Sequence, residues 1–364
     1  MKKILLLGGT GAIGKALINQ LLHDKQIEII VTSRSKHQVM PHVTYILGDA
    51  HDIDFLHKVL EQQYDAIIDF MYYQHVEEFE TRVSMFLAST KQYVFLSSSR
   101  VYAQSNLPLT EKSMRLLDCV NDDDYLSIGD YALTKAKEEN VLIKQKEKNW
   151  TIVRPYITFG DNRFQLGCME KEGWLYRALH GRSIVFSQDI YNKYTAMTSS
   201  DEVAFAIAAI LNKDESMGQI FQIASGRSIK WSEVLTVYLQ VIENIKGTKP
   251  KVFLTKKDLY LLIPHSKWQV LYDRLYDRYF SSNKIETILK YSLGYDMNEE
   301  LAEDLKRFLM HPSFKSIDWG LEGWRDKEAK EHTPLSEIPS NKLRVVYLIH
   351  RYLPMWLTHS IFYN

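Results

Sequence analysis

Lys2–Leu22 reads KKILLLGGTGAIGKALINQLL. An apolar run ending at Leu7 meets glycines at positions 8, 9, 11 and 14, and a helical pattern begins at once. Gly8, Gly11 and Gly14 form G-x-x-G-x-x-G between a strand and a helix. In that setting one glycine permits a tight turn and one lets the backbone approach a pyrophosphate. The third lets the helix pack close to the sheet. The helix start then offers free N–H groups and a positive dipole end to phosphates. Gly8, Thr10, Gly11, Ala12, Ile13 and Gly14 are therefore expected to hold a dinucleotide.

The rhythm after this turn fits. KILLLGG, IEIIVTS, VTYILGD, DAIIDF, QYVFLSS and WTIVRP read as six strands. Helical patterns over 12–23, 52–62, 76–89 and 130–148 lie between them. The strands are short continuous apolar runs, which suits a parallel sheet covered by helices on both faces. The expected fold class is α/β, a Rossmann-type doubly wound parallel sheet with a smaller, mostly helical C-terminal domain. After Pro155 the alternation breaks. TFGDNRFQLG reads as a loop, and helices are expected over 171–180 and 200–211, the latter capped by Ser200 with Asp201. The expected domains are 1–160, with elements around 194–224 folding back on the sheet, and 161–364.

A carboxylate commonly ends the second strand of such folds, where it binds ribose hydroxyls. Here that end reads VTSRSKH, with Thr32 at the expected place, then Ser33, Arg34 and Lys36. A hydroxyl and a guanidinium suit a 2′-phosphate that a carboxylate would repel. NADP is thus favoured over NAD, with Ser33 and Arg34 as its contacts. Asp49 and Ala50, in LGDA, are placed to meet the adenine, although Asp49 suits a turn equally well.

Tyr131 and Lys135 in DYALTKAKEEN are four residues apart and share a helical face. An ammonium beside a phenol stabilises the phenolate, so such a pair can pass a proton to or from a substrate oxygen. The serines of YVFLSSSRVY, at the end of a strand, are suited to hold that oxygen.

GGTGAIG, LGDA, FLSSSRVY, LPLTEKS, YALTKAKEE, TIVRPYITFG, TSSDEVAFAIAAIL and GQIFQIASGRSIKWSEVL follow in order over roughly the first 245 residues. Together they resemble the extended short-chain dehydrogenase/reductase superfamily, in its NAD-dependent epimerase/dehydratase branch. The resemblance implies an enzyme acting on a nucleotide-activated sugar, most simply by hydride transfer at C4. Tyr131 would be its acid/base, and Ser98, three residues before Val101, its oxygen-orienting serine. Lys135 would hold the nicotinamide ribose. Ser99, Arg100, Tyr72 and Arg163 are the candidate substrate contacts, and Pro155 borders the cofactor. A 4-epimerase with retained NAD, and a non-catalytic NADP-binding sensor or RNA-associated relative, are the alternatives. The family also implies a homodimer.

Some positions depart from the family. Its sugar dehydratases carry Asp-Glu right after the serine position, where Ser99 and Arg100 stand here, which disfavours 4,6-dehydration. FMYYQH replaces the usual residues after the fourth strand. Tyr72 and Tyr73 there are suited to stack on substrate or cofactor, or to pack with their hydroxyls outward. NDDDY, residues 121–125, reads as a solvated loop or a gate.

The 364 residues are 45% hydrophobic and 25% charged, with a formal net charge of +0. No global field draws the chain to nucleic acid. Two cysteines build neither a disulfide framework nor a zinc site, and twelve histidines show no ligand spacing. No metal is expected. The N-terminus lacks a signal-peptide pattern, and a cytoplasmic location is expected. The apolar, mildly basic end, KLRVVYLIHRYLPMWLTHSIFYN, suits a peripheral membrane contact or packing on the core or on another subunit.

Overall fold

The computed structural model describes residues 1–294 and 296–362. They form two compact units, the first made of 1–161, 196–227 and 279–297.

The first unit is built on seven strands: β1 (Lys2–Leu7), β2 (Ile27–Ser33), β3 (Val43–Leu47), β4 (Tyr64–Asp69), β5 (Thr90–Leu96), β6 (Trp150–Pro155) and β7 (Gln219–Ile223). All pair in parallel, in the order β3-β2-β1-β4-β5-β6-β7. The order reverses between β1 and β4, and such a sheet has its ligand crevice at the C-terminal strand ends there. Helices α1 (Ala12–Leu21), α2 (Ile53–Val59), α3 (Val76–Ala88), α4 (Tyr131–Ile143) and α5 (Ser200–Ile210) cover it.

Alternate strand residues feed two cores. Ile4, Leu6, Ile29 and Ile68 pack with Leu17 and Leu21 of α1 and Val203 and Ile207 of α5. Leu5, Leu7, Ile30 and Ile67 pack with Leu56 of α2, Phe79 and Phe86 of α3 and Leu142 of α4. β1, β2 and β4 are thus apolar on both faces, which explains their unbroken apolar runs. The α5 cap lies one residue earlier than expected. Ser199 Oγ accepts from Glu202 N (3.2 Å), and the Glu202 carboxylate accepts from Ser199 N. Glu202 supplies the reciprocal bond of a capping box, which an Asp201 side chain one position earlier cannot complete.

Two expectations need correction. Residues 279–297 belong to this unit and not to the C-terminal region. Ile285 and Leu293 join the α1–α5 core, and Gln222 Nε2 donates to Ser281 O (3.0 Å). In NDDDY, Asn121, Asp123 and Asp124 are exposed as expected, but the stretch is not a loop. Asp122 caps a short helix, Asp123–Ser127, through Tyr125 N (3.0 Å), and the Tyr125 ring is buried.

The second unit comprises 162–195, 228–278 and 298–364. Its strands Ile184–Ser187 and Val252–Thr255 pair in parallel, and the rest is mostly helical. Arg177 is buried in it against Glu322 (2.6 Å), Asp326 (2.8 Å) and Glu331 (2.9 Å). The final stretch forms two helices, Asn341–Tyr352 and Met355–Phe362, broken at Pro354. Their inner side packs on Trp319–Ala329. A Cβ on Gly323 would meet Tyr347 O at 2.6 Å, and Trp324 Nε1 donates to Thr358 Oγ1 (3.0 Å). Val345, Tyr352 and Trp356 remain exposed. Among the described residues no helix is long and apolar enough to cross a membrane.

Candidate active site

The glycine turn has the features that a dinucleotide needs. Gly8 sits at φ +68, where a side chain is strained. A Cβ on Gly14 would lie 2.3 Å from Gly9 O, so α1 approaches the turn too closely for any other residue. At Gly11 a Cβ would meet nothing within 4 Å, which leaves that side open. Gly11 is also the α1 N-cap and supplies no side-chain hydrogen bond. The first N–H groups of α1, at Ala12 and Ile13, are thereby left for an anion. Thr10 N donates to Gly8 O (2.9 Å) and closes the turn.

At the end of β2, Thr32 is buried and its Oγ1 accepts from Gly8 N (3.0 Å). It braces the turn. Ser33 Oγ lies 2.8 Å from His37 Nε2 and accepts from Ser35 N (3.1 Å), while Arg34 is exposed. Asp49 Oδ1 accepts from His51 N (3.0 Å), a turn contact, and Ala50 is buried.

Tyr131 opens α4, and the residues around its backbone are tightly tied. Asp130 caps the helix through Ala132 N (2.9 Å) and accepts from the Tyr125 hydroxyl (3.1 Å). Arg100 lies 3.6 Å from the Asp130 carboxylate, and its guanidinium stands 5.3 Å from the centre of the Tyr131 ring. The Tyr72 ring is half exposed, 5.5 Å from that of Tyr131. Ser98, at the end of the β5 loop, is the N-cap of a short turn and accepts from Arg100 N (3.2 Å). Ser99, expected as a substrate contact, is buried and donates to Arg154 O (2.7 Å). Its hydroxyl is spent on holding β6, so it is withdrawn from the candidate set. Arg163 belongs to the second unit, where its guanidinium lies 3.4 Å from Glu170.

Lys135 is buried. Its ammonium donates to Met71 O (3.2 Å), stands 4.5 Å from the Phe95 ring centre and lies 3.1 Å from Glu138 Oε2. Beneath it is a polar cluster that the sequence did not reveal. Asp69, at the end of β4, accepts from Met71 N (2.8 Å) and from the hydroxyls of Tyr73 (2.8 Å) and Tyr93 (2.5 Å). Tyr73 therefore turns its hydroxyl inward, against the outward packing expected of it, because the Asp69 carboxylate needs donors there. Burial raises Asp69 above the usual carboxylate range, and burial beside Asp69 raises both tyrosines well above theirs. Burial also pushes Glu138 up to about 7, against the pull of Lys135.

Glu139, one residue on, is fully paired. It accepts from Arg154 Nε (2.7 Å) and Nη2 (2.6 Å), Arg115 Nη1 (3.1 Å) and Ser97 Oγ (2.5 Å). This network joins α4 to β6 just before Pro155, and Arg154 also donates to the Tyr102 hydroxyl (3.0 Å).

A family model described as NAD dependent epimerase/dehydratase family matches residues 4–224. The chain belongs to this family. Solved structures of nucleotide-sugar enzymes share its fold. One is a dTDP-glucose 4,6-dehydratase of Bacillus anthracis in complex with NAD, 16% identical (TM-score 0.65; 86% of this chain, 98% of that one). Another is a UDP-glucuronic acid 4-epimerase of Bacillus cereus in complex with UDP-glucuronic acid and NAD, 15% identical (TM-score 0.61; 85% and 100%). A third is a UDP-N-acetylglucosamine 4-epimerase of Methanobrevibacter ruminantium in complex with UDP-N-acetylmuramic acid, 18% identical (TM-score 0.65; 85% and 98%). At these identities the likeness is one of fold. No curated protein matches the chain by sequence. Asp69, Tyr125, Asp130, Glu138 and Glu139, which the structure gathers around Tyr131 and Lys135, were not singled out by the sequence. Glu138 and Glu139 carried a faint signal, two adjacent acids on a helix with Lys135 on one face.

Proposed function

We propose that this family member oxidises or reduces a nucleotide-activated sugar, with C4 as the reacting carbon. The placement of Tyr131 and Lys135 on successive turns of α4 carries the reading. A bound nicotinamide dinucleotide would supply the hydride chemistry. Gly8, Gly11 and the start of α1 would hold its pyrophosphate, and Lys135 its nicotinamide ribose. Tyr131 would move the proton of the sugar hydroxyl, and Ser98 would orient that oxygen.

NADP is the proposed cofactor. The end of β2 carries exposed Arg34 beside a buried Ser33 and no carboxylate, and a guanidinium there fits a 2′-phosphate. Sugar 4,6-dehydration is disfavoured, because Ser99 and Arg100 stand where those dehydratases carry their acid pair. Epimerisation at C4 with NAD retained is the second reading, favoured by the named activities of two of the neighbours above.

Turnover on a panel of UDP- and dTDP-sugars, followed at 340 nm and by product chromatography, tests the proposal. Net NADPH oxidation lost in Tyr131→Phe supports a reductase. A 4-epimer formed without net cofactor change supports the second reading. No reaction on any member, with nucleotide bound, would sink both in favour of a binding protein.

A further inference from the structure

Glu138 and Glu139 are adjacent on α4 and both fully buried, yet they are treated differently. Glu139 accepts from Arg154, Arg115 and Ser97. Glu138 has only the ammonium of Lys135, 3.1 Å from Oε2. Beyond that ion pair neither oxygen has a hydrogen-bond partner among the described residues. A buried carboxylate served by one cation is costly, and an alanine at this position would avoid the cost. A structural role therefore explains Glu139 and leaves Glu138 unexplained.

The charges around Glu138 come from three elements. Lys135 and Glu139 share its helix, Asp69, Tyr72 and Tyr73 face it from the end of β4, and Tyr93 from β5. Of the groups just named, Lys135 is the cation, and Asp69 and Glu139 are carboxyls; Glu139 is already paired with Arg154 and Arg115. An ammonium has three N–H donors. Met71 O takes one of them, and Glu138 competes for the others.

We propose that Glu138 is a positioning residue for Lys135. Its ionised carboxylate draws the ammonium inward, and its protonation frees the ammonium to hold a ribose hydroxyl, so that cofactor affinity follows the protonation of Glu138. This rests on the reading of Lys135 as the ribose contact. The elevated carboxyl of Glu138, at about 7, puts the change in the physiological range.

The test is the dissociation constant of NADH from pH 5.5 to 8.5, read by nicotinamide fluorescence, for wild type, Glu138→Gln and Glu138→Asp. NADH lacks the 2′-phosphate, whose own titration would intrude. Wild-type affinity should weaken about three- to tenfold as pH rises through neutrality, the worth of one modest hydrogen bond. Glu138→Gln, a neutral isostere, should stay at the tighter level throughout. Glu138→Asp keeps a titrating carboxyl and should show the inflection again, displaced in pH, which keeps the test decisive if the Gln variant does not fold. An unchanged inflection in Glu138→Gln, or a flat wild-type profile, overturns the proposal alone. Absence of NADH and NADPH binding at every pH overturns the nicotinamide reading and this proposal with it.

Discussion

Glu138→Gln should stabilise the protein, and the gain should grow with pH. The Glu138 carboxyl is raised from 4.5 to about 7 by burial, with Lys135 and its hydrogen bond already counted against that rise. Below pH 4.5 the folded and unfolded chains both hold the proton, and the group contributes its full stability. Between there and neutrality the unfolded chain releases the proton first, so stability falls as pH rises. Above the folded value the loss is complete. A rise of roughly 2.5 pH units at 1.36 kcal/mol per unit gives a loss of roughly 3 kcal/mol. Glutamine has no proton to lose and escapes it. Urea unfolding at pH 4.5, 5.5, 6.5 and 7.5, followed by tryptophan fluorescence and circular dichroism, measures the difference. The variant should match wild type within about 0.5 kcal/mol at pH 4.5 and exceed it by roughly 3 kcal/mol at pH 7.5. A difference that does not change with pH, or a variant less stable at pH 7.5, would refute the reasoning.

Tyr131→Phe should lower kcat by about a hundredfold or more while leaving NADPH affinity within about twofold, because the hydroxyl acts on substrate; steady-state kinetics and fluorescence titration separate the two. Gly14→Ala would push a Cβ to 2.3 Å from Gly9 O. It should cost about 1–3 kcal/mol in a thermal or urea melt and weaken dinucleotide binding at least about tenfold. Arg154→Met leaves the buried Glu139 short of two donors and should cost about 3–5 kcal/mol. The double variant Arg154→Met/Glu139→Gln should recover part of that in the same urea assay.

The sheet and the glycine turn were legible because their signals are local. Apolar runs in alternation with helical periods, glycines at fixed spacing and a Tyr–Lys pair four apart all lie within short windows. The Asp69 cluster was not legible, because Tyr93 reaches it from 24 residues away on another strand. Glu138 and Glu139 lie in a helical stretch dense in charge, DYALTKAKEEN, yet both are fully buried. Their burial depends on Arg154 and Lys135 meeting them, which helix periodicity does not encode. Ser98 and Ser99 are alike in sequence, and only the reach of Ser99 Oγ to Arg154 O tells them apart. The return of 279–297 to the first unit was hidden for a similar reason. Leu109 N bonds to Tyr279 O (2.7 Å) across a long stretch of intervening chain, where no local pattern survives.

The central claim is that the turn from Gly8 to Gly14 and the end of β2 hold a nicotinamide dinucleotide carrying a 2′-phosphate. The most direct measurement is titration of the purified protein with NADPH and NADH by nicotinamide fluorescence, with a denatured sample assayed for retained cofactor and Arg34→Glu as the control. The account predicts an initially empty site, tighter binding of NADPH than of NADH, and loss of that preference in Arg34→Glu. Tightly retained NAD, with no response to Arg34→Glu, would contradict it and move the 4-epimerase reading to first place.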